Sequence, residues 1–232
     1  MHELTNSIDI AKTIFGSAQF AQFGIIRVIR VMRVVVLTDE SLKAELLANA
    51  DDLHQQVIWV DTLGQLQQHA DANAWIDLLF EKEHLTVLQN FLPKTIIINS
   101  VVDTLNETDS SFVRINAWPT LLKSDSIEAS CLVREKKQVA ETIFSLFNKK
   151  MQWLPDEPGF VTPRVVSMII NEAFISLQEG VSTREEIDLA MKLGTNYPNG
   201  PFEWADKIGM NKVKSLLEKL SISQDRYTPF VS

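Results

Sequence analysis

From Arg33 onward, short β-branched runs alternate with stretches of helical periodicity, and the alternation stops at Leu154-Pro-Asp-Glu-Pro-Gly159. That rhythm leaves few architectures open. Parallel strands cannot be joined by tight hairpins, so each crossover has to carry a helix, and the spacing here allows one. Strands are predicted at residues 33–38 (RVVVLT), 56–61 (QVIWVD), 75–80 (WIDLLF), 95–100 (TIIINS), 112–117 (FVRINA) and 126–133 (SIEASCLV). Helical patterns fall between them, notably SLKAELLANA and EHLTVLQNFL, and a last helix, KKQVAETIFSLFNKK, leads directly into MQWLPDEPGF.

After the Pro-rich turn no strand signal returns. A helix is expected from Thr162, with Pro163 at its first position and Val165, Ile169, Ala173 and Phe174 repeating at helical spacing as far as Gly180. A second opens at Ser182 or Thr183 with Glu185 or Glu186 three positions on, a capping-box pattern, and stops at Gly194. Pro201 starts a third that ends at Gly209, and Asn211 caps a fourth. The fold class expected is therefore α/β, a doubly wound Rossmann-like parallel sheet followed by a smaller all-α C-terminal domain. The boundaries are 1–32 for an N-terminal extension, 33–157 for the sheet domain and 158–232 for the helical one.

Composition narrows the function. The net charge of -8, with no dense run of Lys or Arg, excludes nucleic acid as a partner. Cys131 stands alone, which fits a reducing cytoplasm and a buried, small apolar role. The histidines His2, His54, His69 and His84 lack i, i+4 pairing and a neighbouring Cys cluster, so no metal site is expected. Residues 14–38 are apolar enough to suggest a membrane anchor, but Arg27, Arg30 and Arg33 recur every third residue, too costly for a spanning helix. Two alternatives remain, a helix docked on the body or an addition upstream of a domain beginning at Met32. The second is favoured because Met32 directly precedes the first strand.

The stretches PGFVTPRVVSMIINEAFISLQEG (158–180) and EEIDLAMKLGTNYPNGPFEWADKIGMNKV (185–213) resemble the helical C-terminal domain of the 3-hydroxyacyl-CoA dehydrogenase family. The resemblance implies a homodimer formed through this domain, NAD as cofactor and an acyl-CoA as substrate. Structure alone also explains these residues, since Pro198 and Pro201 set a turn and Phe202 and Trp204 fill a core.

The chemistry the resemblance implies is only partly present. A nicotinamide cofactor's pyrophosphate needs a Gly-rich turn at a helix N-terminus. Here the matching segment is Thr38-Asp39-Glu40-Ser41-Leu42-Lys43, without glycine and with two added carboxylates. Asp61, 23 residues after Thr38, stands where an acid would accept the ribose hydroxyls, or simply starts a turn. Hydride transfer needs a positioned base and a carboxylate to orient it. The resemblance puts Asn116 at the family's His position and Glu128 at its Glu position. An amide cannot titrate, although Asn116 could donate a hydrogen bond to a carbonyl, and Glu128, left without its imidazole, is either a solvated strand residue or keeps a role in the site. Val101 and Pro163 fall where the family has a substrate-binding Ser and an Asn. Arg164 is expected in a surface salt bridge. About 13 residues separate the second and third strands, with no room for the family's helical insertion there. Three functions follow: a catalytically degenerate dimeric scaffold or binding protein, which is the leading one; a working oxidoreductase with an atypical site; or a small-ligand or acyl-chain sensor.

Overall fold

The structure is a computed structural model describing residues 32–50 and 56–230; the N-terminal extension, but for Met32, lies outside the described residues. Seven strands, β1 (Val34–Leu37), β2 (Val57–Val60), β3 (Ala74–Asp77), β4 (Thr95–Asn99), β5 (Val113–Ile115), β6 (Ser126–Cys131) and β7 (Lys150–Trp153), form one sheet in the order β2-β1-β3-β4-β5-β6-β7. Helices α1 (Glu40–Leu47), α2 (Leu63–Gln67), α3 (Leu85–Gln89) and α4 (Arg134–Ser145) accompany it. β1 and β3 are apolar on both faces, as strands covered on both sides must be, and Val34, Val35, Val36, Trp75 and Ile76 are all fully buried.

Two expectations are corrected here. The sheet is mixed rather than all-parallel, because β6 runs antiparallel to β5. The chain between them, residues 116–125, holds no crossover helix and so turns back on itself. The second correction is β7, an edge strand parallel to β6, in a segment expected to follow a helix directly. α4 ends at Ser145, and Asn148 takes a left-handed conformation (φ 53°) that turns the chain into β7. Lys150 and Gln152 are exposed while Met151 and Trp153 are half-buried, an alternation too short to stand out in the sequence.

The second half is helical: α5 (Thr162–Gln178), α6 (Arg184–Thr195), α7 (Pro201–Ile208) and α8 (Met210–Ser221). Pro163 occupies the first turn of α5, and Thr183 and Glu186 form the capping box of α6. Gly194 does not end α6; the left-handed residue is Asn196 (φ 57°), whose amide side chain tolerates that geometry. Asn211 lies inside α8 rather than capping it, with Gly209 ahead of the helix. Val165 is 52% exposed, so the buried face of α5 is carried by Val166 and Ile170 together with the expected Ala173. At α7 the Asp188 carboxylate of α6 accepts from the backbone N–H groups of Phe202 (2.8 Å) and Glu203 (3.2 Å). A Cβ on Gly200 would stand 2.2 Å from that carboxylate, so the cap requires glycine there.

The two halves share apolar packing. Val101 and Trp118, from the loops after β4 and β5, lie in one cluster with Phe160, Val166, Ile170, Trp204, Leu216 and Leu217. The helical layer thus sits over the carboxyl ends of the central strands.

Candidate functional site

In an open α/β sheet the crevice for a ligand forms outside the carboxyl ends of the strands where the winding reverses. Here β1 is flanked by β2 on one side and β3 on the other, and a cleft of about 460 Å³ opens in that region. Its lining includes Asp39 and Leu42 from the start of α1, Phe80 and Glu81 after β3, Trp118 after β5, and Lys212 of α8.

The segment expected to cradle phosphates is closed upon itself. Asp39 is the N-cap of α1, and its Oδ1 accepts from the Leu42 N–H at 2.7 Å, taking a donor that an anion would need. Thr38 is buried, its hydroxyl donating to the Asp39 carbonyl at 3.0 Å, while Glu40 is exposed and pairs with Lys43. Asp61 is exposed just after β2, with its backbone N–H donating to Gln65 Oε1.

Asn116 and Glu128 do meet, but as parts of a clamp. Asn116 Nδ2 donates to Glu128 Oε2 (3.0 Å), and Asn116 Oδ1 accepts from Trp118 N–H (3.3 Å). Glu128 Oε1 accepts from both the backbone N–H (2.9 Å) and the hydroxyl (3.0 Å) of Thr162, the first residue of α5. Glu128 is only 8% exposed, which corrects its expected place as a solvated strand residue. Its charge lies at the positive end of the α5 dipole. Asn116, expected as a free donor for a carbonyl, is instead held at both ends of its amide. Val101 and Pro163 are buried, Val101 packing under the helical layer and its carbonyl accepting from Gly159 N–H at 2.7 Å. Arg164 makes no surface salt bridge among the described residues; its Nε donates to the Pro158 carbonyl at 2.7 Å.

Glu128→Ala would leave the buried Asn116 amide without its acceptor and release the first turn of α5 at Thr162, an exposed residue. A loss of about 1–3 kcal/mol in unfolding free energy by urea titration is expected, with a smaller loss for Glu128→Gln, which keeps an acceptor there. Equal stability of the alanine variant and the parent would show that the clamp holds nothing.

Three further groups escaped the sequence reading. Asn99 braces the strand ends: its Nδ2 donates to the carbonyls of Leu78 (3.0 Å) and Ala117 (3.2 Å), and its Oδ1 accepts from Ala117 N–H. Arg114 is fully buried in β5, where Nε donates to Asp156 Oδ1 (2.9 Å), Nη2 to the Glu157 carbonyl (2.8 Å) and Nη1 to the carbonyls of Ser100 and Val101. The guanidinium also lies over the Phe160 ring at 4.2 Å.

The third group is Asp77 with His84. Asp77 is wholly buried at the end of β3, accepting from Leu79 N–H through Oδ1 and bonded to His84 Nδ1 through Oδ2 at 2.6 Å. It thus ties together both ends of the loop that supplies Phe80 and Glu81 to the cleft. Burial pushes the Asp77 carboxyl up, and the hydrogen bond to Asp77 holds the His84 imidazole above its ordinary value. A base whose folded value is raised contributes stability fully below about pH 6.5, and that contribution is lost as pH rises through the folded value. Stability is therefore expected to fall as pH rises above about 6.5, with the slope flattened in His84→Gln. Thermal unfolding of both proteins across that range checks it; parallel profiles would refute the assignment to His84.

Residues 159–230 match the family model described as 3-hydroxyacyl-CoA dehydrogenase, C-terminal domain. The helical half is thus similar to a 3-hydroxyacyl-CoA dehydrogenase C-terminal domain. The 3-hydroxyadipyl-CoA dehydrogenase of Escherichia coli K12 is 43% identical over 83 residues, which are 35% of this chain and 18% of that protein. The 3-hydroxybutyryl-CoA dehydrogenase of Bradyrhizobium diazoefficiens is 35% identical over 94 residues, 40% of this chain and 32% of that protein. The chain thus matches less than a third of the length of either relative. The fold likeness reaches further than the matched residues. The crystal structure of (S)-3-hydroxybutyryl-CoA dehydrogenase from Ralstonia eutropha superposes with a TM-score of 0.64 over 85% of this chain and 90% of that one, at 18% identity. The M. tuberculosis protein FadB2 gives 0.67 over the same shares, at 14% identity. No helix among the described residues is long and apolar enough to cross a membrane.

Proposed function

We propose that this 3-hydroxyacyl-CoA dehydrogenase family protein has lost hydride transfer and serves as a dimeric scaffold or binding protein of the cytoplasm. The observation that carries this reading is the clamp. The position at which the resemblance implies an imidazole holds an amide, and the carboxylate that would orient the imidazole fastens α5 to the sheet instead. The Asp39 cap supports it, because a carboxylate already sits at the helix terminus where a pyrophosphate would bind and would repel a second anion. NAD(H) is expected to bind weakly or not at all. A calorimetric dissociation constant in the low micromolar range, roughly -8 kcal/mol, would overturn the reading.

The dimer is proposed to form through the helical domain. A groove of about 590 Å³ between α5 and α6 is lined by Val165, Met168, Ile169, Ile187 and Met191, and Leu189 and Leu193 of α6 are exposed at 53% and 78%. An apolar groove of this kind is a mark of an interface, and Leu189 and Leu193 add exposed apolar surface on another face of α6. Light scattering is expected to give a dimer at tens of micromolar, in rough terms, and a monomer for Val165→Glu. A monomeric parent at that concentration would remove the dimer from the proposal.

A further inference from the structure

We infer that the interdomain cleft binds a small molecule that carries a positively charged nitrogen at one end of an apolar body and an anionic group at the other. This rests on the reading that the cleft no longer takes a dinucleotide, and it names what the same space accepts instead. The walls of the cleft differ in sign. On the sheet side stand Asp39 and Glu81, both exposed, and among the described residues neither carboxylate forms an ion pair. Nearby cations are already engaged: Lys43 pairs with Glu40 and lies over the Trp59 ring, Lys82 pairs with Asp103 at 3.1 Å, and Lys219 bridges Asp103 (2.9 Å) and Glu107 (2.6 Å). On the helical side Lys212 lines the cleft and has no carboxylate partner among the described residues.

Beside these charges the lining is mixed, with apolar atoms of Leu42, Leu78, Phe80, Val101 and Trp118 and the polar side chains of Asn99 and Ser100. The apolar atoms take up an aliphatic body, and a ring face nearby favours a cationic nitrogen over a neutral one. Asp103 adds no net attraction, since both its oxygens already face ammonium groups. What remains unpaired is a negative end supplied by Asp39 and Glu81 and a positive end supplied by Lys212. A phosphate-rich ligand would meet the negative end first and be repelled. A ligand of zwitterionic or amine character meets complementary charge at each end.

The test uses 6-aminohexanoate, hexylammonium and hexanoate as probes, with calorimetry and thermal shift on the full chain. Saturable binding is expected for 6-aminohexanoate and hexylammonium and none for hexanoate. Asp39→Asn, which preserves the helix cap, and Glu81→Gln should each weaken both amines by about tenfold, as loss of a charged partner does. Lys212→Ala should weaken 6-aminohexanoate alone. Hexanoate binding as well as the amines, or no amine binding by protein whose thermal unfolding is that of a folded chain, would overturn the inference. NADH titration on the same sample separates the two failures. Tight NADH binding defeats the underlying reading, whereas absence of both NADH and amine binding defeats only the ligand class.

Discussion

Purified protein given NADH and acetoacetyl-CoA is expected to leave the NADH absorbance at its protein-free baseline, and Asn116→His is expected to do the same. Loss of a positioned base alone removes about 10²–10⁴-fold in rate. On the proposed reading the loss is compounded by Asp39 at the helix terminus and by Val101 and Pro163, which offer no polar side-chain group to a substrate. Groups that act as a unit are strongly non-additive, so returning one imidazole beside Glu128 should recover almost nothing. The Glu128 carboxylate would still be held by Thr162. Clear turnover by the parent would refute the degenerate reading. Turnover by Asn116→His alone would mean that cofactor and substrate still bind and that only the base is missing.

The second large effect is expected at Arg114. This guanidinium is wholly buried, and it joins β5 to the Pro-rich turn through Asp156 and the Glu157 carbonyl. Arg114→Met fills much of the same space but leaves the Asp156 carboxylate, itself 8% exposed, without its cation. Breaking a buried pair in this way costs about 3–5 kcal/mol, whereas removing both charges costs much less. Urea titration should therefore show a large drop for Arg114→Met and partial recovery when Asp156→Asn is added. The asparagine keeps an acceptor for Leu105 N–H, which Asp156 Oδ2 now binds at 2.8 Å. A single variant within about 1 kcal/mol of the parent would mean that the pair contributes little net stability.

The central strands were legible because burial on both faces leaves a nearly uninterrupted apolar run, as in Thr95–Asn99, and that pattern is local. β7 was not, because an edge strand of four residues with two exposed polar side chains resembles a loop. The spacing of Asn116 and Glu128 placed the two together correctly. It could not show what Glu128 does, since Thr162 reaches it from 34 residues away across the layer boundary. Arg114 and Asp77 did leave a signal: each is a lone charge in an apolar strand, which implies a buried partner. His84 lies within the same loop as Asp77, but Asp156 is 42 residues from Arg114, and nothing in local periodicity links them.

The apolar cluster that spans both halves also bears on how the chain is made. Val101 and Trp118 leave the ribosome with the sheet, but the residues that cover them, from Phe160 to Leu217, come later. While the helices are still being synthesised, the strand ends present an uncovered apolar surface. The clamp at Glu128 likewise lacks Thr162, and the hub at Arg114 lacks the Phe160 ring. A nascent chain halted before Pro158 is thus exposed to aggregation or to chaperone capture, and release of the finished helical layer is the event that closes it.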